Sequence, residues 1–298
     1  MQALHDVPAP AKLNLFLHVV GRRKDGYHLL QSVFRFVDLC DLLHFERTAD
    51  GRILREGEGL AGLAQEDDLV VRAAQALQAA TGVGYGVRIR YEKRIPAGGG
   101  LGGGSSDAAS TLIALNRLWE TRLRRAQLLR LAVSLGADVP VFVFGQSAFA
   151  QGIGEDLTPV VLPDRAYWIV QPRVQVPTAR IFADPDLTRN SESVKIAVFT
   201  DWQTGRSGLF GRNDLEAVVF RHYPAVSCVA RAMRDAGLEV RMTGSGACLF
   251  ASFENLVDAR LQRDRIISKI SSLPDGAVGG SWVCQGLADH PLRGWIVD

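Results

Sequence analysis

A glycine run, PAGGGLGGGSS, occupies Pro96–Ser106 and limits the folds open to this chain. Six of the seven positions from Gly98 to Gly104 are glycine, with an alternating segment before them and an alanine-rich segment after them. Glycine permits positive φ and lets a ligand approach the backbone, so that successive N–H groups can converge on an anion. We expect a strand, a glycine loop and a helix beginning near Ser105 or Ser106, which together form a polyphosphate site.

Three other interpretations of the glycine run are weaker. Gly98, Gly100 and Gly103 satisfy a G-x-G-x-x-G pattern, but a dinucleotide site also needs an acidic residue about 20 positions on, after the next strand. Here that position is Glu120, at the end of a predicted helix. A Walker A loop is excluded because no Gly-Lys-Ser/Thr follows. A flexible linker stays open as an alternative, although linkers are rarely bounded so sharply.

Bulk properties indicate an ordinary globular protein with a small-molecule partner. The net charge of +2 over 298 residues is no electrostatic reason to expect nucleic acid or an acidic membrane as a partner. No signal peptide and no membrane helix is expected, because the N-terminus lacks a basic and apolar leader and no apolar run approaches ~20 residues. The four cysteines lack CxxC or zinc spacing, so we expect reduced thiols, no metal-ligand set and a cytoplasmic protein.

Hydrophobic periodicity predicts an α+β protein in two domains, residues 1–155 and 156–298. Alternation predicts strands at 11–20, 33–37, 42–46, 87–95, 166–171, 239–242, 250–253 and 281–284. Helical spacing predicts helices at 67–80, 108–119, 125–135, 224–236 and 256–271. Residues 183–212 are expected to be irregular. In the first strand, Lys12 and Asn14 fall on one face, so we expect them side by side.

The motif PAGGGLGGGSSDAA resembles the central phosphate-binding motif of the GHMP kinases, which include galactokinase, homoserine kinase and mevalonate kinase. Two further motifs of that superfamily have counterparts here in the expected order, PAKLNLFLHV (10–19) and MTGSGACLF (242–250). The resemblance implies a two-domain fold with a ribosomal-protein-S5-like N-terminal domain and a ferredoxin-like C-terminal α/β sandwich. It also implies an active site in the cleft between the domains, and ATP as co-substrate.

Five segments are similar to one branch of this superfamily: AKLNLFLHVVGRRKDGYHLLQSVF, GGGLGGGSSDAA, LGADVPVFVFG, PTARIFADPDL and RNDLE. That branch phosphorylates the C2 hydroxyl of a cytidyl-methylerythritol in the non-mevalonate route to isopentenyl diphosphate and the terpenoids. The resemblance therefore implies a transferase with an alcohol acceptor. Two alternatives stay open, a GHMP kinase for another small molecule and a catalytically silent nucleotide or sugar sensor on the same fold.

The resemblance implies a role for each residue in the motifs. Asp138 would be the base that takes the proton of the attacking hydroxyl. Lys12 would hold Asp138 and that hydroxyl while stabilising the charge on the moving phosphoryl group. Asn14 would orient the same hydroxyl. The ATP-binding residues would be Pro96, Ala97, Gly98, Gly99, Gly100, Leu101, Gly102, Gly103, Gly104, Ser105 and Ser106.

The same resemblance implies how the acceptor molecule is recognised. Tyr27 and Phe182 would stack on the cytosine, and His28 would hydrogen-bond its edge. The other substrate-binding residues would be Thr178, Gly244, Ser245 and Gly246. Mg²⁺ would be carried with ATP through phosphate oxygens and water. Asp68 stays outside the predicted site because family members commonly have Asn there, and both a monomer and a homodimer remain possible.

Overall fold

The computed structural model describes residues 1–57, 64–205, 208–273 and 278–298. The strands are β1 (Ala3–Arg22), β2 (His28–Thr48), β3 (Ile53–Arg55), β4 (Gly86–Glu92), β5 (Ala148–Gln151), β6 (Asp156–Pro159), β7 (Ala166–Pro172), β8 (Arg241–Met242), β9 (Leu249–Phe253) and β10 (Val278–Leu287). The helices are α1 (Leu69–Thr81), α2 (Gly103–Leu118), α3 (Arg125–Leu135), α4 (Val139–Phe144), α5 (Thr178–Ala183), α6 (Ile196–Gly205), α7 (Glu216–His222), α8 (Pro224–Asp235) and α9 (Leu256–Ser271). None of the helices in these ranges combines the length and the apolar character that a bilayer span requires.

Strand β2 organises the sheet, since it pairs with β1, β4, β5 and β10. The sequence predicted two strands here, at 33–37 and 42–46, and that prediction was wrong because β2 runs through without a break. The polar residues between the two predicted strands lie at a register shift within β2, where Pro10 is opposite Cys40 and Ala11 is opposite Val37. Asp41 is fully buried within the strand and accepts the backbone N–H groups of Arg94 and Ile95. These hydrogen bonds compensate for the loss of water around the buried carboxylate.

Two large hydrophobic cores lie on the sheet, beside two smaller clusters. The first packs α1 to α4 against β1, β2 and β4, and it also contains Leu292 and Ile296 from the end of the chain. The second packs α5, α7, α8 and α9 against β7 and β9. Helical periodicity located α1, α3, α8 and α9 to within two residues, because each buries one apolar stripe in a hydrophobic core. The domain division at residue 155 stays a prediction.

Two further predictions were wrong, one about the start of a helix and one about an irregular segment. The helix after the glycine run begins at Gly103 rather than near Ser105 or Ser106, because Gly102 takes a left-handed conformation as N-cap and its carbonyl accepts the N–H of Ser106. The segment 183–212 is not wholly irregular, since α6 forms there. The buried ring of Phe199 anchors α6 against Phe16 and Phe149. Residues 206 and 207 of that segment lie outside the described residues.

Candidate active site

A cavity of about 900 Å³ lies where the two cores meet. Phe34 of the first core and Leu215 of the second both line it, together with the glycine loop, the N-terminus of α2 and the loop before β9. Every residue that the sequence placed in the site lines this cavity except Ser106. The cavity is large enough for a drug-sized or nucleotide-sized ligand.

Lys12 and Asp138 form an ion pair at the cavity wall. Lys12 Nζ lies 3.3 Å from Asp138 Oδ2, although Lys12 belongs to β1 and Asp138 precedes α4. The lysine is 3% exposed, whereas the aspartate side chain is 39% exposed and reaches the cavity. The ring of Phe34 lies 5.3 Å from Nζ and covers the ammonium. The pair thus combines a buried ammonium group with a carboxylate that is accessible from the cavity.

Asn14 is held rigidly beside this pair. Its Oδ1 accepts a hydrogen bond from Lys12 Nζ at 2.5 Å, and its Nδ2 donates to Ser32 Oγ at 2.8 Å. The Ser32 hydroxyl donates in turn to the carbonyl of Phe16 at 2.6 Å. The shared strand face of Lys12 and Asn14 is therefore confirmed, and the hydrogen bonds fix which amide atom faces the ammonium.

The glycine loop is clamped against the loop before β9. Ala247 N–H and Cys248 N–H donate to the carbonyls of Gly98 and Gly99 at 3.3 and 3.1 Å. Thr243 Oγ1 accepts the N–H of Asn14 at 3.0 Å and donates to the carbonyl of Gly100 at 3.3 Å. One buried hydroxyl thus joins β1, the glycine loop and the third motif, MTGSGACLF. Thr243 lies within that motif, but only Gly244, Ser245 and Gly246 were predicted as site residues, because its partners lie far away in the sequence.

Aromatic and polar groups also line the cavity. The rings of His28 and Phe182 lie 5.0 Å apart between centroids, while Tyr27 is 60% exposed at the mouth. Thr178 Oγ1 lies 2.7 Å from Ser245 Oγ, which joins α5 to the third motif. His28 and Phe182, two of the side chains expected to contact a base, therefore lie together on the cavity wall.

Ser106 lies outside the cavity. Its side chain is fully buried and its hydroxyl donates to the carbonyl of Pro10 at 2.7 Å. Because α2 begins at Gly103, the N–H of Ser106 is already within the helix and bonded to Gly102. Ser106 thus anchors α2 on β1, and the early helix start leaves the N–H groups of the first helical residues facing a ligand.

Lys93 lines the cavity and was not predicted from the sequence. Its ammonium contacts the carboxylate of Asp41 and lies 2.5 Å from Asp107 Oδ2. Burial raises the pKa of Asp107 to about 8, outweighing the opposite effect of Lys93. Burial would lower the pKa of Lys93, but the carboxylates of Asp107 and Asp41 raise it overall. Only tertiary contacts distinguish this lysine from its basic neighbours in YEKRIP.

Asp68 does not line the cavity and has a structural role. Its Oδ1 caps α1 by accepting the N–H of Val70 at 2.9 Å, and its Oδ2 accepts from Arg55 at 2.8 Å and from Tyr91 at 2.7 Å. Burial, followed by the hydrogen bond to Asp68, raises the pKa of Tyr91. These contacts explain how an aspartate is tolerated at this position.

Replacing Asp68 with Ala should lower the free energy of unfolding by about 2–4 kcal/mol, because a helix cap and one partner of a buried ion pair are removed together. Chemical denaturation measures this loss, and the exposed neighbour Asp67→Ala serves as control, with an expected change within about 0.5 kcal/mol. An Asp68→Ala variant of full stability with a raised KM for ATP would contradict the structural role.

Comparison with known proteins agrees with this geometry. Residues 68–146 match the family described as GHMP kinases N terminal domain, and residues 198–271 match GHMP kinases C terminal. The chain is 62% identical over 299 residues to a 4-diphosphocytidyl-2-C-methyl-D-erythritol kinase of Bordetella parapertussis, covering 98% of this chain and 99% of the relative. It is 52% identical over 294 residues to the kinase of the same name from Ralstonia pickettii, covering 99% and 98%.

A solved structure supports the same grouping. The crystal structure of a 4-(cytidine 5'-diphospho)-2C-methyl-D-erythritol kinase superposes with a TM-score of 0.79 at 35% identity, covering 94% of this chain and 98% of the other. The expected α+β fold of a GHMP kinase is confirmed by these matches. The chain belongs to the GHMP kinase family, in the branch formed by the 4-diphosphocytidyl-2-C-methyl-D-erythritol kinases.

Proposed function

We propose that this chain transfers the γ-phosphate of ATP to the C2 hydroxyl of 4-diphosphocytidyl-2-C-methyl-D-erythritol, giving the 2-phosphate and ADP. The observation that carries the proposal is the ion pair of Lys12 and Asp138, with Nζ and Oδ2 3.3 Å apart, in the cavity that the glycine loop also lines. The relatives named as this kinase match nearly the whole chain. The product belongs to non-mevalonate isoprenoid synthesis.

Each residue at the ion pair has a distinct task in the proposed reaction. Asp138 accepts the proton of the acceptor hydroxyl as that oxygen forms its bond to the γ-phosphorus. The bond from the γ-phosphorus to its bridging oxygen breaks, and ADP leaves with the electron pair. Lys12 stabilises the charge on the moving phosphoryl group, and Asn14 orients the hydroxyl. Positioning and charge neutralisation account for most catalysis of phosphoryl transfer.

ATP is proposed to lie with its phosphates on the glycine loop and the start of α2. Loop N–H groups and the helix dipole supply the positive potential there. Mg²⁺ would accompany the nucleotide and, when bound, neutralise phosphate charge. Phosphate oxygens and water would be the main ligands of this ion.

The acceptor is proposed to place its cytosine between Tyr27 and Phe182, with His28 at the edge of the base. Stacking on aromatic rings contributes about 1–3 kcal/mol per base. Thr178 and the third motif, Gly244 to Gly246, would lie beside the rest of the molecule. We further propose that the enzyme works in the cytoplasm, where its four unpaired thiols would stay reduced.

Substrate screening tests the proposal directly. Purified protein, ATP and Mg²⁺ should release ADP with the cytidyl-methylerythritol and not with mevalonate or homoserine. Turnover of one of those two would place the chain with another kinase specificity. ATP binding without turnover of any acceptor would identify a silent sensor instead.

A further inference from the structure

Arg189 connects His28 and Phe182, two of the residues proposed to bind the base. It lies between α5 and α6, and its Nε donates to Nε2 of His28 at 3.1 Å. The other guanidinium nitrogens donate to four backbone carbonyls, those of Pro185, Leu187, Phe182 and Asp184. All five N–H donors of the arginine are therefore satisfied. One side chain thus holds both the imidazole of His28 and the backbone of Phe182.

The contact with Arg189 determines where His28 carries its proton. A guanidinium keeps its protons in proteins and has no acceptor, so Nε2 of His28 must offer its lone pair. In a neutral imidazole the proton then lies on Nδ1. Burial, followed by the charges of Arg189 and Arg22, lowers the pKa of His28, which favours this neutral form. A doubly protonated ring would set N–H against N–H at the arginine.

The free nitrogen of His28 is available to a ligand. His28 lines the cavity and its ring lies 5.0 Å from that of Phe182. Among the contacts of the described residues, Nδ1 has no protein partner. A ring held in this tautomer therefore presents a hydrogen-bond donor, and no acceptor, to a base that stacks on Phe182.

We propose that Arg189 is a positioning residue that fixes His28 in the Nδ1–H tautomer and thereby selects cytosine over uracil. This inference rests on the proposed function. The ring N3 of cytosine carries a lone pair and accepts a hydrogen bond, whereas N3 of uracil carries a hydrogen. The Nδ1–H group of His28 can donate to N3 of cytosine. Opposite uracil, the same N–H would face the N3–H of the base, and no hydrogen bond could form. Sites that leave buried polar groups unpaired discriminate strongly against the wrong substrate.

Nitrogen NMR on the free enzyme tests the tautomer without any turnover. The chain has six histidines, and in ¹⁵N-histidine-labelled protein the signals of His28 are identified by their loss in His28→Gln. We expect a protonated, pyrrole-type shift at Nδ1 and an unprotonated, pyridine-type shift at Nε2. The reverse assignment, or two averaged shifts, would overturn the proposal.

Kinetics of Arg189→Met test the consequence for specificity. The variant should lower the ratio of kcat/KM for the cytidyl substrate to that for its uridyl analogue by about tenfold, the scale of one hydrogen bond. The KM for ATP should stay unchanged, and the Nδ1 shift of His28 should move toward an average. An unchanged ratio in a folded variant would contradict the role in selection.

Arg221→Met is the matched control. Arg221 contacts Asp186 in the same segment, but it is half exposed and does not line the cavity. This variant should leave both the base ratio and the histidine shifts as they are. If it lowered the ratio as much as Arg189→Met, loosening of the segment rather than the tautomer would explain the effect. A wild-type chain that turns over neither substrate would overturn the proposed function, while the tautomer is measured independently.

Discussion

Replacing Asp138 with Asn should lower kcat by about 10²–10⁴-fold, the usual contribution of a positioned general base. The amide keeps the shape of the side chain but cannot accept the hydroxyl proton. Asp138 is 39% exposed and caps no helix through its side chain, so the loss should fall on catalysis rather than on folding. Steady-state ADP release measures kcat, and calorimetric titration should show ATP binding within about twofold of the wild type.

The exposed Asp164, between β6 and β7, offers the same chemical change outside the cavity. Asp164→Asn should therefore retain the full rate. Lys12→Met should also lower kcat, and the double variant should be little worse than the poorer single one, because residues that act as a unit are not additive. Wild-type kcat in Asp138→Asn would remove Asp138 from the proton transfer.

Replacing Gly100 with Ala should lower kcat/KM on the order of 10²-fold, because the phosphate loop would be displaced. Gly100 has φ of +74°, and a Cβ built there would lie 2.1 Å from the carbonyl oxygen of Thr243. That neighbour is backbone within the clamp between the two loops, so one loop must move. Steady-state kinetics with ATP varied measure the loss, and a lower melting temperature should accompany it, since such strain costs about 1–3 kcal/mol.

The variant Gly237→Ala separates the effect of a positive φ from the effect of a steric clash. Gly237 has φ of +87° but nothing lies within 4 Å of the built Cβ. This variant should lose some stability through its backbone conformation alone while keeping wild-type kcat/KM. If Gly100→Ala kept its activity as well, the clamp by Thr243 would have no role in positioning the phosphates.

Some of the site follows from local sequence. The period of two in β1 puts Lys12 and Asn14 on one face without any knowledge of the fold. The glycine run and the helix after it indicate an anion site, since the conformational freedom of glycine and the helix N-terminus are local properties. Partners from distant parts of the chain could not be predicted in this way. The contact of Arg189 with His28 spans 161 positions, and that of Thr243 with Asn14 spans 229.

The amino-acid sequence alone determined five of the nine helices in the described ranges, most of the strands and the chemistry that the glycine run can perform, because hydrophobic periodicity and backbone freedom act over a few residues. Only the tertiary structure decided that β2 passes through a buried Asp41, that α2 starts at Gly103 and that Ser106 faces Pro10 instead of the cavity. The start of α2 depends on the left-handed conformation of Gly102. For Asp41 and Ser106, a hydrogen bond with a group remote in sequence satisfies the buried polar atom, and such partners come together only once the chain has folded.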